Sequence, residues 1–79
     1  MTGGIVTLDL HGKTSYAAKV GIDAALRRSR GVYRLRLIHG YNKGTVLRDM
    51  IEEEYSRDRR VLRLVKVNEG TTDLVLKEL

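Results

Sequence analysis

The chain has 79 residues, of which 42% are hydrophobic, so it is long enough for one folded domain and too short for two. It contains no Cys, which excludes disulfides and thiolate chemistry, and it has neither a membrane-length apolar run nor a signal peptide, so we expect a cytoplasmic protein without a membrane segment. Its net charge of +5, with arginine in excess of lysine, favours a polyanionic partner, because guanidinium groups bind phosphate oxygens as a fork.

The predicted elements alternate between strands and helices. Residues 1–4 are expected to be a flexible segment, and the domain occupies residues 5–79. The β-branched and apolar residues 5–10 predict a strand. Ser15–Arg28 carries apolar residues at helical spacing, after a cap at Thr14 or Ser15. The same criteria predict a strand over residues 33–39, a helix over 45–57, and strands over 60–67 and 72–79.

This order, βαβαββ, predicts an α/β fold of two layers, one sheet and one layer of helices. The first two strands are joined through a helix and should therefore be parallel, with a right-handed crossover. The short turn over residues 68–71 makes the last two strands an antiparallel hairpin.

The ends of the first two strands carry the residues best suited to chemistry. Parallel strands end at the same edge of a sheet, so Asp9 and His11 should lie near His39. Asp9 and His11 are two residues apart and point to the same face, where the carboxylate can orient the imidazole or join it in holding a metal. Both loops lead into helix N-termini, which favour anions. We therefore predict a phosphate site with Asp9, His11 and His39 as candidate catalytic residues.

Further residues of these loops are candidate nucleic-acid contacts, because they are cationic, polar, aromatic or small enough for a phosphate to approach the backbone: Gly12, Lys13, Gly40, Tyr41, Asn42, Lys43, Gly44 and Arg48. Tyr41, at the tip of its loop, is placed to stack on a base. Arg34 and Arg36 share one face of a strand that should be central, which suggests an open sheet face that binds phosphates. Arginines 57, 59, 60 and 63 either contact a nucleic-acid backbone or balance the acids at 52–54.

Three motifs in order resemble those of the Smr (small MutS-related) domain family. Residues 8–12, L-D-L-H-G, resemble its opening signature. Residues 38–40 with Gly44 and Leu47-Arg48 resemble its second motif, H-G-x-G-x-G-x-L-R, although Asn42 replaces the usual middle glycine. Residues 70–76 resemble its closing strand, G-x-T-x-V-x-L. The resemblance covers residues 6–79.

The resemblance implies a fold like the C-terminal domain of bacterial translation initiation factor three, with a mixed four-stranded sheet whose last strand is antiparallel to the rest. It implies Asp9 and His11 as the catalytic pair and places His39, Gly40 and Gly44 in a phosphate-binding loop. Smr domains occur alone and as C-terminal modules of second-type bacterial MutS proteins, and they nick DNA, cleave RNA or bind nucleic acids. Whether a divalent metal such as Mg or Mn takes part stays open.

Three hypotheses follow. The first is an endonuclease that acts on DNA or RNA through the Asp/His site. The second is a binding module of a larger MutS-like ATPase that does not cleave. The third is a partner-docking domain of such an ATPase, in which the positive charge is incidental.

Overall fold

The computed structural model describes residues 4–41 and 44–78. The predicted contacts Asn42 and Lys43, and most of the predicted flexible N-terminal segment, lie outside the described residues. Six elements follow one another in the predicted βαβαββ order: β1 (Ile5–Asp9), α1 (Ser15–Arg28), β2 (Arg34–Ile38), α2 (Val46–Tyr55), β3 (Arg63–Asn68) and β4 (Thr71–Val75).

The four strands form one mixed sheet in the order β1-β2-β4-β3. β1 and β2 are parallel, and Thr7 pairs with Arg36 in their register. β4 is antiparallel to both of its neighbours, and Arg36 and Val65 lie on either side of Asp73. The prediction of a mixed sheet with only its last strand reversed is confirmed.

The helices cover one face of this sheet. On β2 the fully buried Leu35 and Leu37 alternate with Arg34 and Arg36, because successive side chains of a strand point to opposite faces. The leucines belong to an aliphatic core shared by both helices, which contribute buried residues Ala18, Ile22, Ala25, Leu26, Ile51 and Tyr55. The arginines therefore lie on the face without helices.

The later element boundaries differ from the sequence prediction. β3 begins at Arg63 rather than at residue 60, because the preceding residues form a turn closed by Asp58. The Asp58 carboxylate accepts a hydrogen bond from the backbone of Arg60 at 2.8 Å, and its carbonyl accepts one from Val61 at 3.0 Å. Aspartate favours such turns because its short side chain reaches the backbone two residues ahead.

Candidate nucleic-acid phosphate site

A cleft of about 300 Å³ lies at the sheet edge where β1 and β2 end, between the N-termini of the two helices. It brings together many of the sequence-predicted site residues: His11, Gly12, Lys13, His39, Gly40, Tyr41 and Gly44. Thr14, Ser15, Val46 and Leu47 complete its lining. Asp9 does not line the cleft itself, but it contacts His11, which does.

Asp9 and His11 form a close pair beside the cleft. One oxygen of Asp9, Oδ1, lies 2.6 Å from the Nδ1 atom of His11 and also accepts the backbone N–H of His11 at 3.1 Å. The hydrogen bond from the His11 side chain is the main reason that the pKa of Asp9 is lowered. An ionised carboxylate only accepts hydrogen bonds, so Nδ1 carries the proton. Nε2 of His11 has no hydrogen-bond partner among the described residues.

The turn after β1 sets the position of His11. The N–H of Lys13 donates to the carbonyl of Leu10 at 3.0 Å, and Gly12 has φ +78°, a conformation that side-chain-bearing residues rarely adopt. Thr14 then caps α1 by accepting the N–H of Ala17 at 3.1 Å. The L-D-L-H-G segment thus leads directly from the strand into a capped helix, with His11 exposed between them.

His39 lies in a different environment from His11. It is only 5% exposed, and both ring nitrogens have partners. Nδ1 lies 2.9 Å from the carbonyl oxygen of Gly40, which can only accept, so Nδ1 carries the proton. Nε2 then accepts the hydroxyl hydrogen of Thr72 at 3.0 Å. His39 therefore ties the end of β2 to β4 and leaves no ring nitrogen free.

The turn between β3 and β4 supports the second loop. The carbonyl of Gly70 accepts the backbone N–H groups of His39 at 2.9 Å and Gly40 at 3.0 Å. A Cβ atom at Gly70 would lie 3.2 Å from Cδ1 of Tyr41 and 3.3 Å from Cα of Gly40, closer than real side chains ordinarily approach. Sequence reasoning gave Gly70 and Thr72 no role at the site, although the closing motif that contains both was the available signal.

The N-terminus of α2 has no side-chain cap among the described residues. The hydroxyl of Thr45 donates to Asp49 at 2.9 Å instead of accepting a helix N–H. The first backbone N–H groups of α2 therefore remain available to an anion in the cleft. Arg48 does not line the cleft, and its guanidinium group lies 3.5 Å from Asp49 and 4.0 Å from Glu52.

Arg34 and Arg36 lie away from the cleft and surround Asp73, which is fully buried. Arg36 donates two hydrogen bonds of 2.9 Å to the carboxylate, and Arg34 donates one of 3.0 Å. Burial alone would raise the pKa of Asp73, but the hydrogen bonds from the arginines outweigh it and hold the pKa below its ordinary value.

The side chains near the cleft can be compared with those that bind metal ions. No group of three or more His, Cys, Asp or Glu side chains in residues 4–41 and 44–78 is arranged to hold a metal ion. Mg²⁺ is commonly bound through one or two carboxylates together with substrate phosphates and water. Asp9 is the carboxylate that this edge would offer to such an ion.

Comparison with known proteins decides the family. The model of the Smr domain family matches residues 8–74, most of the chain. The chain belongs to the Smr domain family. The crystal structure of the Smr domain of Thermus thermophilus MutS2 resembles this Smr domain with a TM-score of 0.84 and 32% sequence identity, over 92% of this chain and 99% of that one. No curated protein sequence matches.

These matches confirm the resemblance found in the motifs and the fold that it implied. The family is one of nuclease-like and nucleic-acid-binding modules, and its occurrence in MutS2 agrees with the predicted link to MutS-like proteins. Among the helices in the described part of this Smr domain, none has the length and apolar character to cross a bilayer.

Proposed function

We propose that this Smr domain is a nucleic-acid endonuclease that cleaves phosphodiester bonds of DNA or RNA with Asp9 and His11 as its reactive pair. The observation that carries the proposal is the 2.6 Å contact between the two side chains, with Nε2 of His11 unpartnered among the described residues beside a cleft flanked by two helix N-termini. We place this activity in the cytoplasm, as expected from the sequence.

In this proposal Asp9 orients the imidazole and His11 moves the proton. With Nδ1–H donating to Asp9, the lone pair of Nε2 removes a proton from the nucleophile, a water molecule or the 2′-hydroxyl of RNA. The nucleophile's oxygen forms a bond to phosphorus and the bond to the leaving oxygen breaks. The leaving oxygen takes up a proton from the imidazolium or from water, and His11 returns to its neutral form by giving up the proton it had removed. The ionised Asp9 stabilises the imidazolium that forms in between.

The cleft supplies groups that favour the charge developing on the phosphate. Lys13 lines it, and the uncapped first N–H groups of α2 point to the same end of the sheet. Tyr41, exposed on the rim, is placed to stack on a base beside the phosphate. Gly12, Gly40 and Gly44 let the backbone approach the anion.

His39 has a positioning role in this proposal. Both of its ring nitrogens are occupied by the protein, so it orders the Gly40 loop instead of moving protons. Arg34 and Arg36 stabilise the buried Asp73 in this proposal, because three of their N–H groups donate to its carboxylate.

One observation favours a second candidate, a nucleic-acid-binding module of a larger MutS-like ATPase that does not cleave. The side chains of His11 and Asp9 are 72% and 56% exposed, whereas catalytic pairs act most strongly where water is excluded. The structural match to a domain of MutS2 fits the same role.

Incubation with supercoiled plasmid and with structured RNA, with and without Mg²⁺ or Mn²⁺, separates the two candidates. We expect His11→Ala to lower the cleavage rate by about 10²–10⁴-fold, the usual contribution of a general base, and Asp9→Asn to lower it less, while binding measured by fluorescence anisotropy is kept. The exposed Glu69→Gln is the matched charge control. Unchanged cleavage by His11→Ala would show that the pair is not the reactive one, and binding without cleavage by the wild-type protein would support the second candidate.

A further inference from the structure

Five exposed arginines lie at the edge of the sheet opposite the cleft. We call them the arginine edge: Arg27, Arg28, Arg30, Arg57 and Arg59. They lie in the last turn of α1, just after it, and just after α2, and both helices end at this side because each returns antiparallel to the strand before it. None of the five guanidinium groups lies within 4.0 Å of a carboxylate oxygen of residues 4–41 and 44–78, the limit for an ion pair.

The remaining arginines of the chain behave differently. Each forms at least one ion pair: Arg34 and Arg36 with Asp73, Arg48 with Asp49 and Glu52, Arg60 with Asp23 and Asp58, and Arg63 with Glu78. The arginines without an ion pair to a described residue are thus confined to one edge of the described structure.

The contacts of Arg60 show that the two parts of the arginine edge, at the end of α1 and after α2, are neighbours. Its Nη2 atom lies 3.6 Å from Asp23 of α1, and it lines a groove of about 520 Å³ together with Arg27 and Arg30. The segment that follows α2 therefore lies against the last turns of α1, and this brings Arg59 to the same end of the molecule.

Two structural explanations account for only part of this cluster. Cations in the last turn of a helix stabilise its dipole, which explains Arg27 and Arg28 but not the three arginines beyond the helices. Arg57 and Arg59 form no ion pair with the acids of α2 in the described structure, where Glu52 approaches Arg48 and Glu54 approaches Lys19 at 3.7 Å. Exposed cations without a partner fit a polyanion supplied from outside.

The two helices that connect the cleft to the arginine edge differ in charge. α1 exposes Tyr16 and Val20 to 80% and 50%, and its one acid, Asp23, is held by Tyr55 and Lys19. α2 instead exposes four carboxylates, those of Asp49, Glu52, Glu53 and Glu54. A polyanion leaving the cleft would be repelled along α2 and meets no such barrier along α1.

We propose that a nucleic acid with one phosphate in the cleft runs along α1 and places further backbone phosphates on the arginine edge. This rests on the proposed nucleic-acid binding but not on cleavage. The 14 residues of α1 span about 21 Å at about 1.5 Å per residue. Phosphates of one strand follow one another at about 3.4 Å along a duplex, so the arginine edge lies about six nucleotides from the cleft.

Salt-dependent binding of a 20-base-pair duplex tests the arginine edge. The variant R30Q/R59Q changes no helical residue, and R27Q/R30Q changes two cations that share the groove. We expect each to weaken binding more than tenfold at low salt and to reduce the slope of log K against log salt by about 2, since each lost phosphate contact removes about 0.9. The matched control R63Q/K66Q removes the same charge from cations that are already paired.

The outcomes separate the two proposals. If the wild-type protein binds or nicks the duplex and both edge variants match the control in affinity and slope, the arginine edge is not a contact and only this inference fails. If the wild-type protein shows no salt-dependent binding, the proposed function fails with it. A thermal melt of each variant confirms that it is folded.

The path along α1 has its own test, because the chain contains no Cys and a single introduced thiol carries a photo-crosslinker at one place. We expect a crosslinker on Val20→Cys to join the duplex, and one on Glu53→Cys, in the exposed face of α2, to join it at least tenfold less. Equal or stronger crosslinking from position 53 would overturn the path.

Discussion

The buried carboxylate of Asp73 offers the most direct test of what Arg34 and Arg36 do. It accepts three hydrogen bonds from them, of 2.9, 2.9 and 3.0 Å. Asp73→Asn keeps the volume of the side chain but removes its charge and turns an amide donor toward guanidinium donors. Removing one partner of a buried ion pair costs about 3–5 kcal/mol. The arginines are 19% and 34% exposed and can reach water, so we expect the lower end, about 3 kcal/mol.

Thermal and urea unfolding followed by circular dichroism at pH 7 measures this cost. For a domain of this size about 1 kcal/mol lowers the melting temperature by about 4–8 °C, so Asp73→Asn should lower it by about 12–24 °C. Glu78→Gln is the matched control, because Arg63 donates to Glu78 at 2.7 Å but both side chains are exposed. An exposed pair contributes about 0–1 kcal/mol. If Asp73→Asn costs no more than Glu78→Gln, the arginines do not depend on Asp73, and a phosphate-binding role for them regains support.

The pH dependence of the stability difference between wild-type and Asp73→Asn provides a second measurement. The pKa of Asp73 is lower in the folded protein than its ordinary value of 3.8, since the guanidinium hydrogen bonds outweigh burial. A lowered pKa stabilises the fold above the unfolded pKa, about 3.9, and this contribution is lost as the pH falls through the folded value. The gap in stability between wild-type and Asp73→Asn should therefore stay constant from pH 7 to about pH 5 and narrow below about pH 4. A gap that persists undiminished at pH 2 would contradict the assigned ion pair.

Three further substitutions test the supports of the site and the core. Gly70→Ala places a Cβ 3.2 Å from the ring of Tyr41 and should cost about 1–3 kcal/mol in urea unfolding, whereas an unchanged midpoint would show that the loop moves aside freely. Thr72→Val leaves Nε2 of His39 without its donor and should lower the free energy of unfolding by about 1–3 kcal/mol. It should reduce the cleavage rate less than His11→Ala does, and an equal reduction would give His39 a chemical role. Burial, helped by its carboxylate partner on α1, raises the pKa of Tyr55. The part of the alkaline absorbance change that wild type shows and Tyr55→Phe lacks should therefore coincide with unfolding, and an earlier difference would show that the hydroxyl is open to water.

The sequence predicted the order and type of every element because its periodicities are clear. Ser15–Arg28 was predicted with the bounds that the structure has, since an apolar face at helical spacing begins after a threonine cap and ends before a glycine. β3 was placed three residues too early, because Val61 and Leu62 continue its apolar pattern although Asp58 folds the chain into a turn before them. A side-chain hydrogen bond to the backbone thus overrode the hydrophobic pattern.

For the site, the sequence predicted which loops lie together but not which side chains form hydrogen bonds with each other. The parallel pairing of β1 and β2 was enough to place His11 and His39 at one cleft. The partner of Arg34 and Arg36 is Asp73, which follows them by almost forty positions. Its place beside them depends on the register between β2 and β4, which local spacing in the sequence does not reveal. The same is true of Gly70, whose importance arises only where the β3–β4 turn touches the second loop.

The different exposure of the two histidines is related to the alternation of side chains along a strand. On β1, Asp9 shares the parity of Thr7, which pairs with Arg36 on the face without helices, and its carboxylate contacts His11 in the exposed turn that follows. His39 instead continues the parity of Leu35 and Leu37, the face on which the helices pack, and there Thr72 is its partner. His11 is therefore exposed, whereas His39 lines the cleft with 5% of its surface exposed and both ring nitrogens bonded to the protein. A shift of one residue along the strand would move His39 to the other face, so its position after β2 fixes it among the groups that hold the loop.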